Sequence, residues 1–227
     1  MADIVDRGAG AGRRLHVLFL VDGSGSMLGE RMGALNWAAK TAIPAMRDCA
    51  AEHPGVEVLV RVCRFADEVS WPVAAPAPVE SFVWANLAAG GETRLGAALA
   101  EVASALAATE AAEGPGLPPV IILLSDGMPS DDTAAGLAAL DATEPGRRAI
   151  RIPIAIGPDA DLEWLQRFVG APSPKPLRAD SAASLVRRMC WAATVPLGLA
   201  SATGTGPKAE GPPPGGAPAE PEDNLLW

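Results

Sequence analysis

Residues 17–26, with the sequence VLFLVDGSGS, constrain the fold of this chain more than any other stretch. The stretch begins as an apolar run rich in valine and leucine and stops at Asp22, which is followed by Ser24 and Ser26. An apolar run of this length that ends in glycine and serine is typical of a strand buried on both faces of a parallel sheet. Because the carboxyl ends of such strands hold ligands, we expect these three side chains to lie where binding or chemistry takes place.

A second buried strand ends in residues of the same kind. Residues 120–124 read VIILL, and Ser125, Asp126 and Gly127 follow directly. Between the two strands, the glycine-marked loop of residues 90–93 precedes a stretch with an apolar residue on one side of each helical turn. Strands that alternate with helices in this way predict an α/β domain with a doubly wound, mainly parallel central sheet and helices on both of its faces.

The remaining periodicities predict the order of the other elements. We expect further strands at residues 56–65, 69–73, 149–157 and 177–179, helices at residues 27–51, 94–112, 133–143, 159–169 and 181–194, and either a short helix or an extended segment at residues 80–89. Strand 69–73 is expected at an antiparallel edge of the sheet because Pro72 cannot donate to a ladder. Pro44 is expected to kink or divide the first helix, and Pro145 with Gly146 to close the third.

The composition divides the chain into a flexible N-terminus at residues 1–13, an α/β domain at residues 14–195 and a tail at residues 196–227. The tail is rich in glycine and proline and shows little periodicity, so we expect it to be disordered. It ends in the apolar triplet Leu225-Leu226-Trp227, which could dock its tryptophan into a pocket of a partner. The alternative is an untethered chain end.

The charge and the cysteines narrow the class of protein. The net charge of −9 and the lack of a lysine and arginine cluster argue against nucleic-acid binding, which requires neutralised phosphates. The three cysteines lie far apart and show no metal-ligand spacing, so we expect reduced core thiols. Residues 1–14 carry no apolar signal segment, and no apolar run approaches the roughly 20 residues of a membrane-spanning helix. We therefore expect a cytoplasmic protein that binds neither nucleic acid nor membranes.

The predicted sheet edge brings together a set of oxygen donors. Its members are Asp22, Ser24, Ser26, Thr93 and Asp126. Hydroxyls and carboxylates without histidine or cysteine suit Mg²⁺, and also Mn²⁺ or Ca²⁺, and argue against zinc and copper. The carboxylates balance a divalent charge, while the hydroxyls are neutral ligands that leave the cation electrophilic. The pattern therefore predicts a metal with one position open for an acidic side chain of a partner.

Three segments of the chain resemble the metal-ion-dependent adhesion site (MIDAS) of von Willebrand factor A domains. They are DGSGS at residues 22–26, GGETRLG at residues 90–96 and SDGMPSDD at residues 125–132, in matching order and spacing over about residues 15–195. Within the family, the chain looks most like bacterial tellurium-resistance-type (TerY-like) proteins. The resemblance implies direct coordination of the metal by Ser24, Ser26 and Thr93. Asp22 and Asp126 would coordinate directly or through bound water.

One departure from the family pattern and three apolar residues concern the rim of this site. Glu92 stands before the threonine where many relatives have Gly-Gly-Thr, so it either swings into the open position or stays solvated, as loop glutamates usually do. Met27, Leu28 and Met128 place apolar groups beside the metal. They either form a partner-facing rim or, for Met27 and Leu28, pack under the first helix.

The resemblance implies a non-enzymatic, Mg²⁺-dependent protein-interaction module. For the TerY-like branch it implies an adaptor in a bacterial phosphorylation-linked stress or conflict response, with a protein kinase and a PP2C-type protein phosphatase as partners. An alternative is a regulatory partner of an AAA+ ATPase of the MoxR or chelatase type. We expect the substitution Asp22→Ala to abolish metal-dependent association and to leave the fold intact.

A serine hydrolase or a phosphatase is the alternative from a different class. Ser24 follows a predicted strand as a hydrolase nucleophile does, but the G-x-S-x-G pattern is absent and the chain offers only His16 and His53 as a base. A phosphatase that uses two aspartates two residues apart would need an acid in place of Ser24. No G-x-x-x-x-G-K-[ST] phosphate loop occurs either. These observations disfavour catalysis.

Overall fold

The computed structural model describes residues 13–171 and 174–202. Its strands are β1 (Arg13–Asp22), β2 (Val56–Phe65), β3 (Val69–Pro78), β4 (Val120–Ser125), β5 (Ile150–Ile156) and β6 (Leu177–Ala179). Its helices are α1 (Glu30–Ala51), α2 (Leu95–Glu113), α3 (Thr133–Ala142), α4 (Glu144–Arg148), α5 (Leu162–Val169) and α6 (Ala182–Ala202). A short 3-10 turn, Gly25–Met27, follows β1.

The strands form one sheet in the order β3-β2-β1-β4-β5-β6. Every neighbouring pair is parallel except β2 and β3, so β3 is an antiparallel edge strand. β1 lies between β2 and β4, where Phe19 is opposite Val62 on one side and Ile122 on the other. The predicted α/β architecture is therefore confirmed, and the carboxyl ends of β1 and β4 lie side by side at one edge.

Alternate residues of β1 belong to two separate core layers. Val17, Phe19 and Val21 pack in the layer that contains α1 and α6, whereas Leu18 and Leu20 pack in the layer that contains α2 and α5. Each of these side chains is at most 2% exposed. A strand that is buried on both faces needs apolar residues at successive positions, which explains why its sequence shows no alternation.

The first helix begins later than predicted and is not divided. α1 starts at Glu30, directly after Gly29 with a φ of 78°, whereas Met27 lies in the 3-10 turn. The helix then runs through Pro44 to its end as one element. Pro44 is exposed, so the carbonyl of Lys40, which loses its helical donor, lies on a face that water can reach.

Residues 79–94 carry the chain from β3 to α2 as an extended segment beside α1, and β3 itself runs five residues further than predicted, to Pro78. The segment buries Phe82, Trp84 and Leu87. Asn36 of α1 holds it in place, because its Oδ1 accepts from Trp84 Nε1 over 3.0 Å and from Leu87 N over 2.8 Å. These contacts order a stretch that has no regular periodicity.

The prediction that Pro145 and Gly146 close the third helix is wrong. The chain turns at Thr143 and begins a second helix, α4, at Glu144. Thr143 caps this helix, since its hydroxyl accepts from Gly146 N over 3.1 Å. A proline is tolerated in the first turn of a helix, because a backbone N–H at that position would have no intrahelical acceptor.

The last helix passes the predicted start of the tail at residue 196. α6 continues through Pro196 to Ala202, and Leu197 is fully buried. Burial of this leucine favours continuation of the helix beyond a residue that lacks a donor. The predicted flexible N-terminus up to residue 12, the tail from residue 203 and its terminal Leu225-Leu226-Trp227 lie outside the described residues.

Helix α2 is long and apolar enough to cross a membrane, judged by length and composition alone. The expectation that no stretch of the sequence approaches a membrane-spanning helix did not take this helix into account. In the fold, its apolar positions Leu95, Leu99, Val102 and Leu106 are at most 4% exposed and contact the core layer of α5. Core packing against the sheet therefore accounts for the apolar character of this helix.

The contact between α2 and α3 depends on two glycines, and this gives a stability prediction. A Cβ added at Gly136 of α3 would overlap the carbonyl of Gly96 in α2. Gly136→Ala should therefore destabilise the domain by about 1–3 kcal/mol, as overpacking does. The matched control is Gly33→Ala in α1, where an added Cβ meets nothing within 4 Å. It should stabilise by up to about 1 kcal/mol. Chemical denaturation of both variants measures the difference, and equal effects would contradict this packing.

His16 gives the domain a pH-dependent stability. Burial lowers its pKa below the ordinary 6.5, although Glu113, whose Oε2 lies 3.3 Å from Nε2, opposes the shift. Below pH 6.5 the unfolded chain therefore takes up a proton more readily than the folded one, so stability falls as the pH drops through that region. His16→Gln should flatten this part of the curve in urea titrations between pH 7.5 and pH 5.5. An unchanged slope would contradict the assignment.

Candidate metal centre

The loop after β1 and the loop before α2 are joined at the carboxyl edge of the sheet. Gly25 N–H donates to Gly91 O, and Gly90 N–H donates to Gly23 O, each over 2.8 Å. The guanidinium of Arg64 strengthens the junction, because its Nη2 donates to Gly23 O over 3.0 Å while its Nε donates to the segment that leads into the second loop. These bonds fix the glycine-marked loop next to the D-x-S-x-S turn.

Asp22 is completely buried, and both of its carboxylate oxygens accept hydrogen bonds. Ser24 N–H donates to Oδ1 over 2.9 Å, and the hydroxyl of Ser125 donates to Oδ2 over 2.6 Å. Burial raises the pKa of Asp22, and the hydrogen bonds from Ser125 and Ser24 oppose that rise. Asp22 thus links the loop after β1 to the end of β4 and orients the first serine.

The hydroxyl groups of Ser24 and Ser26 lie close enough together to bind one cation. Ser24 Oγ and Ser26 Oγ are 3.0 Å apart. Ser24 is in extended backbone directly before the 3-10 turn, which brings Ser26 round to the same side. Ser24 and Thr93 are buried, whereas Ser26 is exposed. Two oxygens at this separation can both reach a cation whose metal–oxygen distance is about 2.1 Å.

Asp126 is the carboxylate with the least hydrogen bonding in this cluster. Its side chain is 0% exposed, and within the described residues its Oδ2 has no hydrogen-bond partner. From these residues, Oδ1 accepts one long hydrogen bond, from Met128 N over 3.4 Å. The nearest cation is Arg31, whose Nη1 lies 3.6 Å from Oδ2. A buried carboxylate oxygen without a hydrogen bond is unfavourable by itself, and it fits a site for a divalent cation.

Three residues that the sequence analysis did not assign to the site hold the threonine loop in place. Ser130 Oγ accepts from Thr93 N over 3.2 Å, and Asp67 Oδ1 accepts from Glu92 N over 2.8 Å. The carboxylate of Asp131 accepts from two backbone N–H groups in the first turn of α2 over 2.8 and 2.9 Å. The sequence does contain a signal for Asp131, because two successive aspartates follow Ser130 and Asp132 alone is enough to cap α3.

The residues predicted for the rim divide into two groups. Leu28 and Met128 are 61% and 47% exposed, and Glu92 is also exposed. Met27 is fully buried in the core layer of α1, so its assignment to the rim is wrong. The 3-10 turn causes this difference, since it directs Met27 inward while Leu28, the next residue, faces solvent.

Neither histidine lies at this edge of the sheet. His16 pairs with Glu113 at the end of α2, and His53 Nδ1 bonds with Cys49 O at the end of α1. Among the described residues there is also no cluster of three or more histidine, cysteine, aspartate or glutamate residues that could hold a metal ion. Any cation at this edge would therefore depend on serine and threonine oxygens together with Asp126.

Solved structures with a similar fold come from several sources. They include the pilus adhesin SpaC of Lactobacillus rhamnosus GG (15% identity, TM-score 0.63), a von Willebrand factor type A structure from Catenulispora acidiphila (19%, 0.60) and the PilB minor pilin of Streptococcus sanguinis (14%, 0.60). These alignments cover 82%, 81% and 82% of this chain but only 30%, 42% and 62% of theirs. At such identities the likeness shows the fold alone. None of the curated protein sequences matches.

The family assignment is independent of these structures. The model of the von Willebrand factor type A domain matches residues 16–186. This range contains β1 from its fourth residue, the other five strands and the three loops of the candidate centre. It covers well over half of the 227 residues. The chain therefore belongs to the von Willebrand factor type A domain family.

Proposed function

We propose that this domain binds Mg²⁺ at the carboxyl edge of its sheet and uses the bound ion to recognise an acidic side chain of a protein partner. The observation that carries the proposal is the buried Oδ2 of Asp126, which has no hydrogen bond from any described residue. It lies at an edge where Ser24 and Ser26 present hydroxyl oxygens 3.0 Å apart. Domains of this family commonly act as protein-interaction or adhesion modules.

The roles of the side chains follow from their environment. Ser24, Ser26 and Thr93 would supply neutral oxygen ligands, and Asp126 would supply negative charge. Asp22 already accepts hydrogen bonds from two groups. Its role would be to orient the Ser24 loop and to add negative charge near the cation without binding it directly. Bound Mg²⁺ would offer an open coordination position to a carboxylate of the partner. Mn²⁺ and Ca²⁺ suit the same donor atoms.

The surroundings of the site favour a protein partner. Leu28 and Met128 are exposed apolar side chains that adjoin the ligand loops in the sequence. A large apolar side chain beside a polar centre can exclude water from a contact and strengthen it. Glu92 is exposed and its carboxylate carries no hydrogen bond in the described part of the chain, so it can contribute to partner selection at the rim.

For the biological role, we propose an adaptor of the TerY-like type in a cytoplasmic bacterial phosphorylation-linked stress or conflict response. The motifs DGSGS, GGETRLG and SDGMPSDD support this proposal by resemblance. A protein kinase and a PP2C-type protein phosphatase are the proposed partners. The alternative is a regulatory partner of an AAA+ ATPase of the MoxR or chelatase type. Neighbouring genes separate the two, since kinase and phosphatase genes favour the first and an AAA+ gene favours the second.

The test is metal-dependent capture of partners from a lysate of the source organism, with Mg²⁺ or with EDTA. We expect the wild-type chain to capture a partner only with Mg²⁺. Thr93→Ala removes one proposed ligand and should lose that partner. In the described part of the chain the Thr93 hydroxyl has no hydrogen bond to lose, so the effect would come from the metal. The matched control is Thr41→Ala in α1, whose hydroxyl donates to Trp37 O within its own helix, and it should retain the partner. Capture that persists in EDTA would contradict the proposal.

A further inference from the structure

Arg31 lies between two carboxylates that come from different loops. It belongs to the first turn of α1, and its side chain is only 18% exposed. Nη1 is 3.6 Å from Asp126 Oδ2, and Nη2 is 2.5 Å from Asp159 Oδ1. Asp126 follows β4 and is fully buried, whereas Asp159 follows β5 and is 52% exposed. The guanidinium of Arg31 therefore forms ion pairs with both a buried proposed metal ligand and a solvent-facing carboxylate.

A glycine in the loop after β5 leaves room for this arrangement. Gly157 has a φ of 91°, and a Cβ at this position would lie 2.9 Å from both Arg31 Nη2 and Asp159 Oδ1. Any larger residue would have to displace the guanidinium from Asp159. The position of Arg31 thus depends on α1, to which it belongs, and on the loop that follows β5, which leaves space for its guanidinium.

Arg64, the other arginine that contacts the ligand loops, has a different environment. It donates hydrogen bonds to the backbone carbonyls of Gly23 and Ala88, which are neutral acceptors. These bonds hold two loops together. Arg31 instead pairs with Asp126, whose Oδ2 has no hydrogen bond in the described residues. Its positive charge therefore lies where the proposed cation needs negative charge.

We infer that Arg31 competes with the divalent cation for Asp126 and so sets the metal affinity of the site. In the metal-free chain, Arg31 partly neutralises Asp126. When a cation binds, the guanidinium pairs with Asp159 alone. This inference rests on the proposed function, because it presupposes that the edge binds a metal. It makes Arg31 a positioning residue that acts through Asp126, with Asp159 as its alternative partner.

Elementary electrostatics sets the direction of each effect. A guanidinium is positively charged, so Arg31 repels a nearby divalent ion. Removing its charge should tighten metal binding. Removing the charge of Asp159 leaves Arg31 with Asp126 alone and should weaken metal binding. If Asp159 acts through Arg31, its effect should vanish once Arg31 is gone, and the two substitutions should be non-additive.

The experiment is a titration of the full chain with Mn²⁺, followed by electron paramagnetic resonance of the free ion. We expect Arg31→Met to tighten the dissociation constant about tenfold and Asp159→Asn to weaken it about threefold. The double variant should match Arg31→Met within about twofold. The control is Arg94→Met, which removes an exposed positive charge beside Thr93. It should stay within about twofold of wild type because solvent screens that charge.

The outcomes separate this inference from the proposed function. If wild type binds Mn²⁺ and Arg31→Met binds it equally well or more weakly, Arg31 does not compete with the cation and only this inference fails. A merely structural role of Arg31 would give weaker binding, so the tightening is diagnostic. If no variant binds Mn²⁺ while circular dichroism shows all of them folded, both the inference and the proposed function fail.

Discussion

Asp126→Ala is expected to weaken Mn²⁺ binding by more than about 100-fold and to leave the metal-free domain at least as stable as wild type. The metal effect follows because this carboxylate is the proposed ligand with the fewest competing bonds, and even residues that only orient ligands contribute about 10–100-fold. The stability effect follows because a buried charge with one long hydrogen bond contributes little to the fold. Arg31 keeps Asp159 as a partner and is not left unpaired.

Calorimetric titration with MnCl₂ and thermal unfolding with and without the metal measure both effects on one sample. Wild type should unfold at a higher temperature in the presence of Mn²⁺, since a ligand that binds only the native state stabilises it. Asp126→Ala should show no such rise. A loss of more than about 2 kcal/mol in the metal-free variant would contradict the account, because it would assign Asp126 to the scaffold.

Asp22→Ala is expected to impair metal binding and the fold together. Two donors, the N–H of Ser24 and the hydroxyl of Ser125, would lose their acceptor in the interior. Each unsatisfied buried donor costs about 1–3 kcal/mol, so the metal-free variant should lose about 2–6 kcal/mol. The sequence alone led to a different expectation, that Asp22→Ala leaves the fold intact, and the hydrogen bonds of Asp22 change that expectation. Urea denaturation without metal measures the loss.

A companion variant, Asp22→Asn, separates the two effects. Its side-chain carbonyl can still accept one of the two hydrogen bonds, so part of the lost stability should return. Metal binding should not return, because the negative charge stays absent. If Asp22→Ala were as stable as wild type, the hydrogen bonds of Asp22 would not link the two loops as the structure indicates.

The two aspartates show how far a sequence can define this site. Asp22 and Asp126 each follow a buried strand, so hydrophobic pattern and strand direction suffice to place both at one edge. Their difference depends on donors from elsewhere in the chain: Asp22 receives the hydroxyl of Ser125, 103 positions away, and Asp126 faces Arg31. No local pattern distinguishes a carboxylate whose two oxygens both accept hydrogen bonds from one whose Oδ2 has only an ion pair in the described residues, so the sequence predicts the same role for both.

The same reasoning explains which parts of the fold were predicted. β2 was predicted residue for residue, because strand alternation and its flanking turns are local signals. The extended segment beside α1 depends on Asn36, which is 51 positions from Leu87, and could not be assigned. Helix α6 passes Pro196 because Leu197 is buried in the tertiary structure. Nothing in the sequence distinguishes Arg31 from an ordinary surface residue at the start of a helix, so its place beside Asp126 could not be predicted.

A crystal structure of the chain with MnCl₂, measured at a wavelength where manganese scatters anomalously, would show whether this edge of the sheet holds a metal. We expect one strong anomalous peak at the carboxyl edge of the sheet, with the oxygens of Ser24 and Ser26 about 2.0–2.3 Å from it. We further expect that the guanidinium of Arg31 lies on Asp159 and away from Asp126. An edge without a peak in crystals that contain Mn²⁺, or a peak bound only elsewhere, would contradict the assignment of a metal centre.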